Sequence, residues 1–597
     1  MQDSHHEASA RLSKLRKVLK RSGLDGFIVP KNDEFQNEYV PDYADRLAWL
    51  TGFTGSAGSA VILEDKAALI VDSRYTLQAK AQSGQLYAIE EFPATTVASY
   101  LAANAPKGAK IGFDPALITE TFFKPLRREA AKNGFKLSPR KQNPIDRIWR
   151  GRPKPAHAPV FLQDEALAGE SAASKVARVQ KKIEEEGASG LFVCAPDAVA
   201  WLFNIRGRDV VHTPLPLVRA YVPASGKPAL FTSAGHVTPD NRQTLEKLAR
   251  IADLESLSET LPKIIAPRAK VLIDPARATL KIMAALRKIG AEVIEATDPI
   301  ALFKARKNEA ELRGARNAHL RDGLALCRFF AWLDQRAAGG GVDELTASDK
   351  LEAFRRQNEL FEDLSFDTIS GAGANGAIVH YRSTPETNKK LVPGTLYLCD
   401  SGAQFRDGTT DVTRTIAIGE PTAEMRLHYT LVLKGHLAIA AARFPAGTRG
   451  VDIDGFARRA LWSAGLDYGH GTGHGIGSFL SVHEGPQSIS RNGMVALEPG
   501  MILSNEPGYY REGHYGIRIE NLMVVTEPEG IDGGETKMMG FETLTLAPYD
   551  RRLIMLELLS TEERAWVDDY HGRVWRELSH SLKGADLKWL KISTVAL

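Results

Sequence analysis

Five side chains between Asp400 and Glu520 are of the types that hold metal ions. They are two aspartates (Asp400, Asp411), two glutamates (Glu506, Glu520) and one histidine (His474), spread over 121 positions. Leu396-Tyr397-Leu398-Cys399-Asp400 reads as a strand ending in an acid, and Asp411-Val412-Thr413-Arg414-Thr415-Ile416 starts another eleven residues on. The turn-like Arg406-Asp407-Gly408 between them predicts a hairpin. Facing cross-strand positions put Cβ atoms ~4.5–5.5 Å apart, and two metals in a hydrolytic pair sit ~3.5–4 Å apart. Asp400 and Asp411 at facing positions would hold one ion and bridge to a second, although two such acids alone are better explained as turn residues. His470-Gly471-Thr472-Gly473-His474-Gly475-Ile476-Gly477 has four glycines in eight residues. Glycine there lets backbone approach closely and leaves the imidazoles room to point into a site. Glu506 ends an apolar strand over Met501-Ile502-Leu503, and Glu520 is expected inside an alternating strand, Gly516–Val525. An unpaired buried carboxylate there is costly, and a metal pair removes that cost. Hard oxygen donors with one imidazole suit Mn²⁺ first, with Co²⁺, Fe²⁺ or Zn²⁺ as alternatives.

These residues need a scaffold, and the surrounding pattern supplies strands. Phe366–Ser370, Ala377–Tyr381, Leu396–Asp400, Asp411–Ile418, Met501–Asn505 and Gly516–Val525 are strand candidates, separated by helices at Thr422–Arg443 and Val451–Ala464. That is an antiparallel-rich α+β domain. Gly371-Ala372-Gly373-Ala374-Asn375-Gly376 matches a dinucleotide-binding fingerprint, but it leads into strand-like Ala377–Tyr381 where that fold requires a helix. A glycine-rich turn between strands is the better account.

Upstream, Gly151-Arg152-Pro153-Lys154-Pro155-Ala156-His157-Ala158-Pro159 has three prolines in nine residues and reads as an extended linker. Asp298-Pro299 precedes a long amphipathic pattern, Lys304–Arg336, read as one helix ended by Gly339-Gly340-Gly341. Three segments result: 1–155, 156–305 and 306–597. The first two look like diverged copies. Each has a helical stretch (Ala8–Arg21; Ala173–Glu185), a short apolar strand (Gly26–Val29; Gly190–Val193) and a shared frame (Asp45-Arg46-Leu47-Ala48-Trp49-Leu50; Asp197-Ala198-Val199-Ala200-Trp201-Leu202). A strand pair follows in both, Ala60–Val71 and Ala220–Thr232. Asp45 and Asp197 are expected to be helix N-caps rather than catalytic acids.

Composition narrows the function. With 76 basic and 73 acidic side chains in 597 residues, no strong field favours nucleic acid or an anionic membrane. Three cysteines, Cys194, Cys327 and Cys399, cannot build a disulfide framework or a thiolate cage. The most apolar stretches, such as Leu431–Phe444, broken by Lys434, His436 and Arg443, fall well short of a ~20-residue membrane span. The N-terminus lacks an apolar signal segment, so a cytoplasmic protein is expected.

The His470–Gly477 stretch together with Val482-His483-Glu484-Gly485-Pro486 resembles aminopeptidase P (Xaa-Pro aminopeptidase) in its long, three-domain cytosolic form. The likeness runs from Ala48-Trp49-Leu50 to Trp566-Val567-Asp568-Asp569-Tyr570-His571. It implies two related creatinase-like N-terminal α/β domains followed by a C-terminal pita-bread α+β metallopeptidase domain with a C-terminal extension. It also implies two divalent metal ions, Mn²⁺ foremost, and a hydroxide between them as nucleophile. On that pattern Asp400 chelates one metal, Asp411 and Glu520 bridge both, and His474 and Glu506 complete the other shell. Glu506 also shuttles the proton. His380, His470 and His483 flank the scissile bond, and Arg518 orients a ligand carboxylate. The implied substrates are peptides with proline second, and the implied assembly is a homodimer. Prolidase activity on dipeptides, a creatinase-like amidinohydrolase and a non-catalytic binding protein are the rival readings.

Overall fold

Gly26–Pro30 and Gly190–Val193 are short apolar runs buried at every position. Strands buried on both faces belong at the centre of a sheet covered by helices, and both occupy that place. In this computed structural model, which describes residues 2–155 and 157–597, each is the fourth strand of a six-stranded mixed sheet. The first sheet contains β1 (Gly26–Pro30), β2 (Ser59–Leu63), β3 (Ala67–Val71), β4 (Ala88–Glu91), β5 (Lys110–Phe113) and β6 (Lys136–Pro139), in the order β4-β3-β2-β1-β5-β6. The second contains β7 (Gly190–Val193), β8 (Arg219–Pro223), β9 (Ala229–Thr232), β10 (Arg250–Asp253), β11 (Lys270–Ile273) and β12 (Glu292–Glu295), in the order β10-β9-β8-β7-β11-β12. Each central strand pairs antiparallel with the next hairpin and parallel with the strand on its other side. Order and strand sense therefore match element for element, as a duplication requires. Alternate residues of the first sheet feed opposite cores: Phe27, Val29 and Ile62 on one side, Ile28, Val61 and Ile70 on the other.

The chain packs as two compact units, Met1–Gln163 with Glu170–Ile300, and Asp164–Gly169 with Ala301–Leu597. In the second unit, β13 (Ile369–Ala372), β14 (Thr395–Ser401) and β15 (Val412–Ile418) form one antiparallel sheet. A five-stranded sheet has the order β17 (Glu484–Ile489), β16 (Gly473–Gly475), β18 (Ile502–Asn505), β21 (Asn521–Val525) and β22 (Phe541–Thr543). The hairpin β19 (Gly508–Arg511) with β20 (Tyr515–Arg518) joins β18 to β21 along the chain. Helices Ala423–Ala440 and Thr561–Leu578 bury Tyr429, Val432, Leu437, Val567 and Val574 in a core with Ile517, Ile519 and Tyr549. This is the mixed pita-bread layout expected from the resemblance.

Local readings differ in instructive places. Lys304–Arg336 is not one helix: Pro299–Ala305 stops, and Glu309–Arg336 restarts because Asn308 caps it through its side chain and Glu311 closes the capping box. Asp45 caps its helix by accepting from Ala48 N at 3.2 Å, but Asp197 is no cap, since Pro196 takes the first helical position after Ala195. Phe366–Ser370 resolves into Phe361–Leu364 and Ile369–Ala372. Ala377–Tyr381 is not a strand. The buried Glu344 carboxylate accepts from Ala372 N (2.7 Å), Asn375 Nδ2 (2.9 Å) and the Tyr381 hydroxyl (2.8 Å), which folds the glycine-rich stretch into a turn.

Candidate metal centre

The strand ends of the second unit's sheets deliver the acids. β14 and β15 pair in the register Asp400 to Thr413, so Asp400 does not face Asp411 as the simple hairpin predicted. The reason is that Ala403–Phe405 and Gly408–Thr409 form their own small hairpin around Arg406-Asp407 and absorb the turn. Asp411 lies two positions back from Thr413 and so is Asp400's diagonal neighbour, still within reach of it. Glu520 is likewise not inside a strand. It sits between β20 and β21, where its N–H donates to Thr413 O at 3.1 Å and Ile519 N donates to Pro507 O at 3.3 Å. That break turns its carboxylate toward the two aspartates.

Three overlapping groups result, each with donor atoms within 4.8 Å of one another: Asp400, Asp411 and Glu520; His474, Glu506 and Glu520; Asp411, His474 and His483. His474 Nε2 lies 3.6 Å from Asp411 Oδ2 and 3.4 Å from Glu506 Oε1. Its Nδ1 is 2.9 Å from the Gly475 carbonyl, so the proton belongs on Nδ1 and Nε2 presents a lone pair to the cluster. The neighbouring glycine has a steric cause: a Cβ on Gly473 would meet Ser504 O at 1.9 Å, so only glycine lets β16 lie this close to β18.

Asp400, Asp411 and Glu520 are buried, and Arg518 is buried against them. Arg518 Nη2 donates to Asp400 Oδ2 (2.7 Å), Nη1 to the Tyr510 hydroxyl (2.5 Å), Nε to Thr413 Oγ1 (3.2 Å). Thr413 Oγ1 donates on to Glu520 Oε2 at 2.8 Å. One guanidinium does not balance four carboxylates. Burial first, then neighbouring carboxylates, hold Asp411 and Glu520 well above the usual range. Burial lifts Glu506 to about 7 against the pull of Arg518, with Asp400 adding to the rise. Asp400 Oδ1 is buried with no hydrogen-bond partner among the described residues. An orphaned oxygen inside a cluster of oxygen donors with one imidazole nitrogen fits bound divalent cations.

The raised carboxyls predict proton release. Their folded-state affinity for protons exceeds the unfolded value, so the stability they contribute to the metal-free chain is present at low pH and lost as pH rises through about 7. Ligation requires the ionised forms. Adding Mn²⁺ to the metal-free protein in weak buffer is therefore expected to release more protons at pH 6 than at pH 9, read with an indicator dye. Equal release at both would contradict these shifts.

The remaining predicted residues are placed as follows. His483, half-buried, packs edge-on against His474 with ring centroids 4.4 Å apart. His470 is one link away: its Nε2 is 2.8 Å from the Tyr510 hydroxyl that Arg518 also reaches. His380 is half-buried beside Val379, whose carbonyl accepts from Arg518 Nη2 at 3.2 Å, and it belongs to none of the donor groups. Tyr510 was given no role by the sequence, yet it joins His470 to Arg518 and so to Asp400. Its place beside Gly508 on the β19–β20 hairpin was the available signal. Glu484, next to His483, was also missed as a support: its carboxylate is gripped by buried Lys304 (2.7 Å) and Lys307 (2.6 Å), over 170 residues away in sequence.

Comparison with known proteins completes the site. Residues 313–527 match the model of Metallopeptidase family M24, and 537–597 that of its C-terminal region. Residues 11–143 and 151–311 each match a Creatinase/Prolidase N-terminal domain. A Laccaria bicolor protein named "Probable Xaa-Pro aminopeptidase P" is 41% identical across 97% of this chain and 92% of its own. The chain belongs to the Xaa-Pro aminopeptidase P family of M24 metallopeptidases. Aminopeptidase P2 of Arabidopsis thaliana, another member, is 38% identical over 97% of this chain and 87% of its own. The crystal structure of X-prolyl aminopeptidase from Caenorhabditis elegans, described as a cytosolic enzyme with a di-nuclear active site, superposes with a TM-score of 0.94 at 32% identity, covering 99% of this chain and 100% of that one. Dipeptidase PepE of Mycobacterium ulcerans shares the fold over 65% of this chain and 98% of its own, at 24% identity and a TM-score of 0.52.

Proposed function

We propose that this chain is a metalloaminopeptidase that hydrolyses the bond between a peptide's first residue and a proline in second place. The observation that carries the reading is the sharing of Glu520 by two donor groups, one with Asp400 and Asp411 and one with His474 and Glu506. A carboxylate common to two adjacent cation sites is what a two-ion centre needs. Family membership supports peptide substrates of the Xaa-Pro class.

Asp400, Asp411, His474, Glu506 and Glu520 would hold two divalent ions, which when bound lower the pKa of water toward neutrality and polarise a carbonyl. The chain does the rest. Glu506 accepts the proton of the attacking water and delivers it to the proline nitrogen, which needs it because that nitrogen leaves as a secondary amine and not as a strongly basic amide anion. His483, beside His474, donates to the oxyanion of the tetrahedral adduct, with His380 as the second candidate. His470 acts through Tyr510 and Arg518 on the orientation of Asp400. In this reading Mn²⁺ is the native ion, on the hardness of the donor set. The chain acts as a cytoplasmic homodimer, as the resemblance implies, and 1–155, 156–305 and 306–597 are its working divisions. The TM-score of 0.94 to an X-prolyl aminopeptidase along the whole chain favours this reading over prolidase.

The substrates decide it. An Xaa-Pro-Xaa tripeptide is expected to be cleaved to the free amino acid and a Pro-Xaa dipeptide, with an Xaa-Pro dipeptide turned over far more slowly. Preferential hydrolysis of the dipeptide would make the chain a prolidase.

A further inference from the structure

We propose a further metal site in the second α/β module, formed by His157, Asp209 and His236 and taking Zn²⁺ or a transition ion of similar preference. It lies apart from the catalytic residues in sequence and in packing unit. The donor atoms of the three side chains lie within 4.8 Å of one another. Asp209 and His236 have fully buried side chains, and His157 is exposed on the proline-rich linker. Backbone bonds hold that linker in place: Ala158 N donates to Asp209 Oδ1 at 2.9 Å, and Val160 N donates to His236 O at 2.8 Å. The two imidazoles stand edge to face, with centroids 4.8 Å apart and planes at 82°.

The buried histidine points to a ligand. His236 Nδ1 is 2.9 Å from Thr232 Oγ1, an outer contact of the kind that orients a metal-binding imidazole. Its Nε2 is 3.0 Å from Asp209 Oδ2 but has no hydrogen-bond partner among the described residues. With Nε2 unprotonated, as metal binding requires, this close approach without hydrogen-bond geometry leaves two electron-rich atoms side by side, within 4.8 Å of a ring nitrogen of His157. Asp209 Oδ2 also accepts from Leu217 N at 2.8 Å, so each carboxylate oxygen has one neutral donor and a lone pair left over. A cation at this point satisfies both buried groups. Two imidazoles and one carboxylate are a three-ligand zinc set with the fourth position open, and the exposure of His157 leaves that position to water. Bound metal would fasten the linker to the second module at Asp209 and His236.

The test is an equilibrium titration of the metal-stripped full-length chain with Zn²⁺, in competition with a chromophoric chelator. Wild type is expected to bind one more equivalent than His157→Ala, and His157→Cys to recover it, because a thiolate is also a zinc ligand. His157 is exposed, so His157→Ala should leave the circular dichroism and melting of the metal-free chain unchanged. The same number of equivalents in wild type and His157→Ala would overturn the proposal and leave Asp209 and His236 a structural ion pair. Occupancy of the catalytic centre changes both totals equally and not their difference, so failure of one reading is distinguishable from failure of the other.

Discussion

Glu506→Gln is expected to lower kcat on an Xaa-Pro-Xaa tripeptide by about 10³-fold, the scale of losing a positioned proton carrier. The substitution keeps the side chain's shape and its contact with Ser504 Oγ, now 3.2 Å from Oε1. It removes the charge and the basic oxygen that sit 3.4 Å from His474. Folding should survive. The metal-free variant should melt at or above wild type at pH 8, because a buried carboxylate held up at about 7, by burial first and by the charge of Asp400 after it, is replaced by a neutral amide. Steady-state kinetics with a thermal melt checks both halves. Near-normal turnover would remove Glu506 from the chemistry.

Arg518→Met should damage stability and metal binding together. Arg518 is 1% exposed, and its guanidinium serves Asp400, Thr413, Tyr510 and the Val379 carbonyl at once. Methionine fills similar space but leaves Asp400 as an uncompensated buried charge, a change that costs on the order of 3–5 kcal/mol in buried pairs. Arg518→Lys should rescue little, since an ammonium cannot reach four divergent acceptors from one position. Urea denaturation and metal content per chain report the two effects separately. The expected outcome is a lower midpoint and fewer ions bound per chain than in wild type. A variant that keeps both would show that Arg518 is an incidental ion pair.

What the sequence made legible follows distance along the chain. The paired modules were visible because each repeats a helix, strand and Asp-x-x-Ala-Trp-Leu frame in one order, and the two sheets share one topology. The metal-ligating types were visible because carboxylates at strand ends and a glycine-flanked histidine have few other uses. Register was not. Asp400 faces Thr413 because a small inserted hairpin takes up the loop, and no periodicity in Ser401–Asp411 reports that. Glu520 was placed inside a strand because Gly516–Val525 alternates cleanly, yet its backbone bond to Thr413, over a hundred residues away, breaks the strand there. Tyr510, and the clamp of Lys304 and Lys307 on Glu484, are long-range contacts whose partners carry no local pattern. The false strand at Ala377–Tyr381 has the same origin, since Glu344 bends it from outside.

The central claim is that buried carboxylates and His474 hold the ions on which peptide hydrolysis depends. Exhaustive dialysis against a chelator, followed by Mn²⁺ titration with an Xaa-Pro-Xaa tripeptide as substrate, tests it most directly. Cleavage should vanish on metal removal and return in step with binding of up to two ions per chain. Full activity in thoroughly metal-free protein would contradict it.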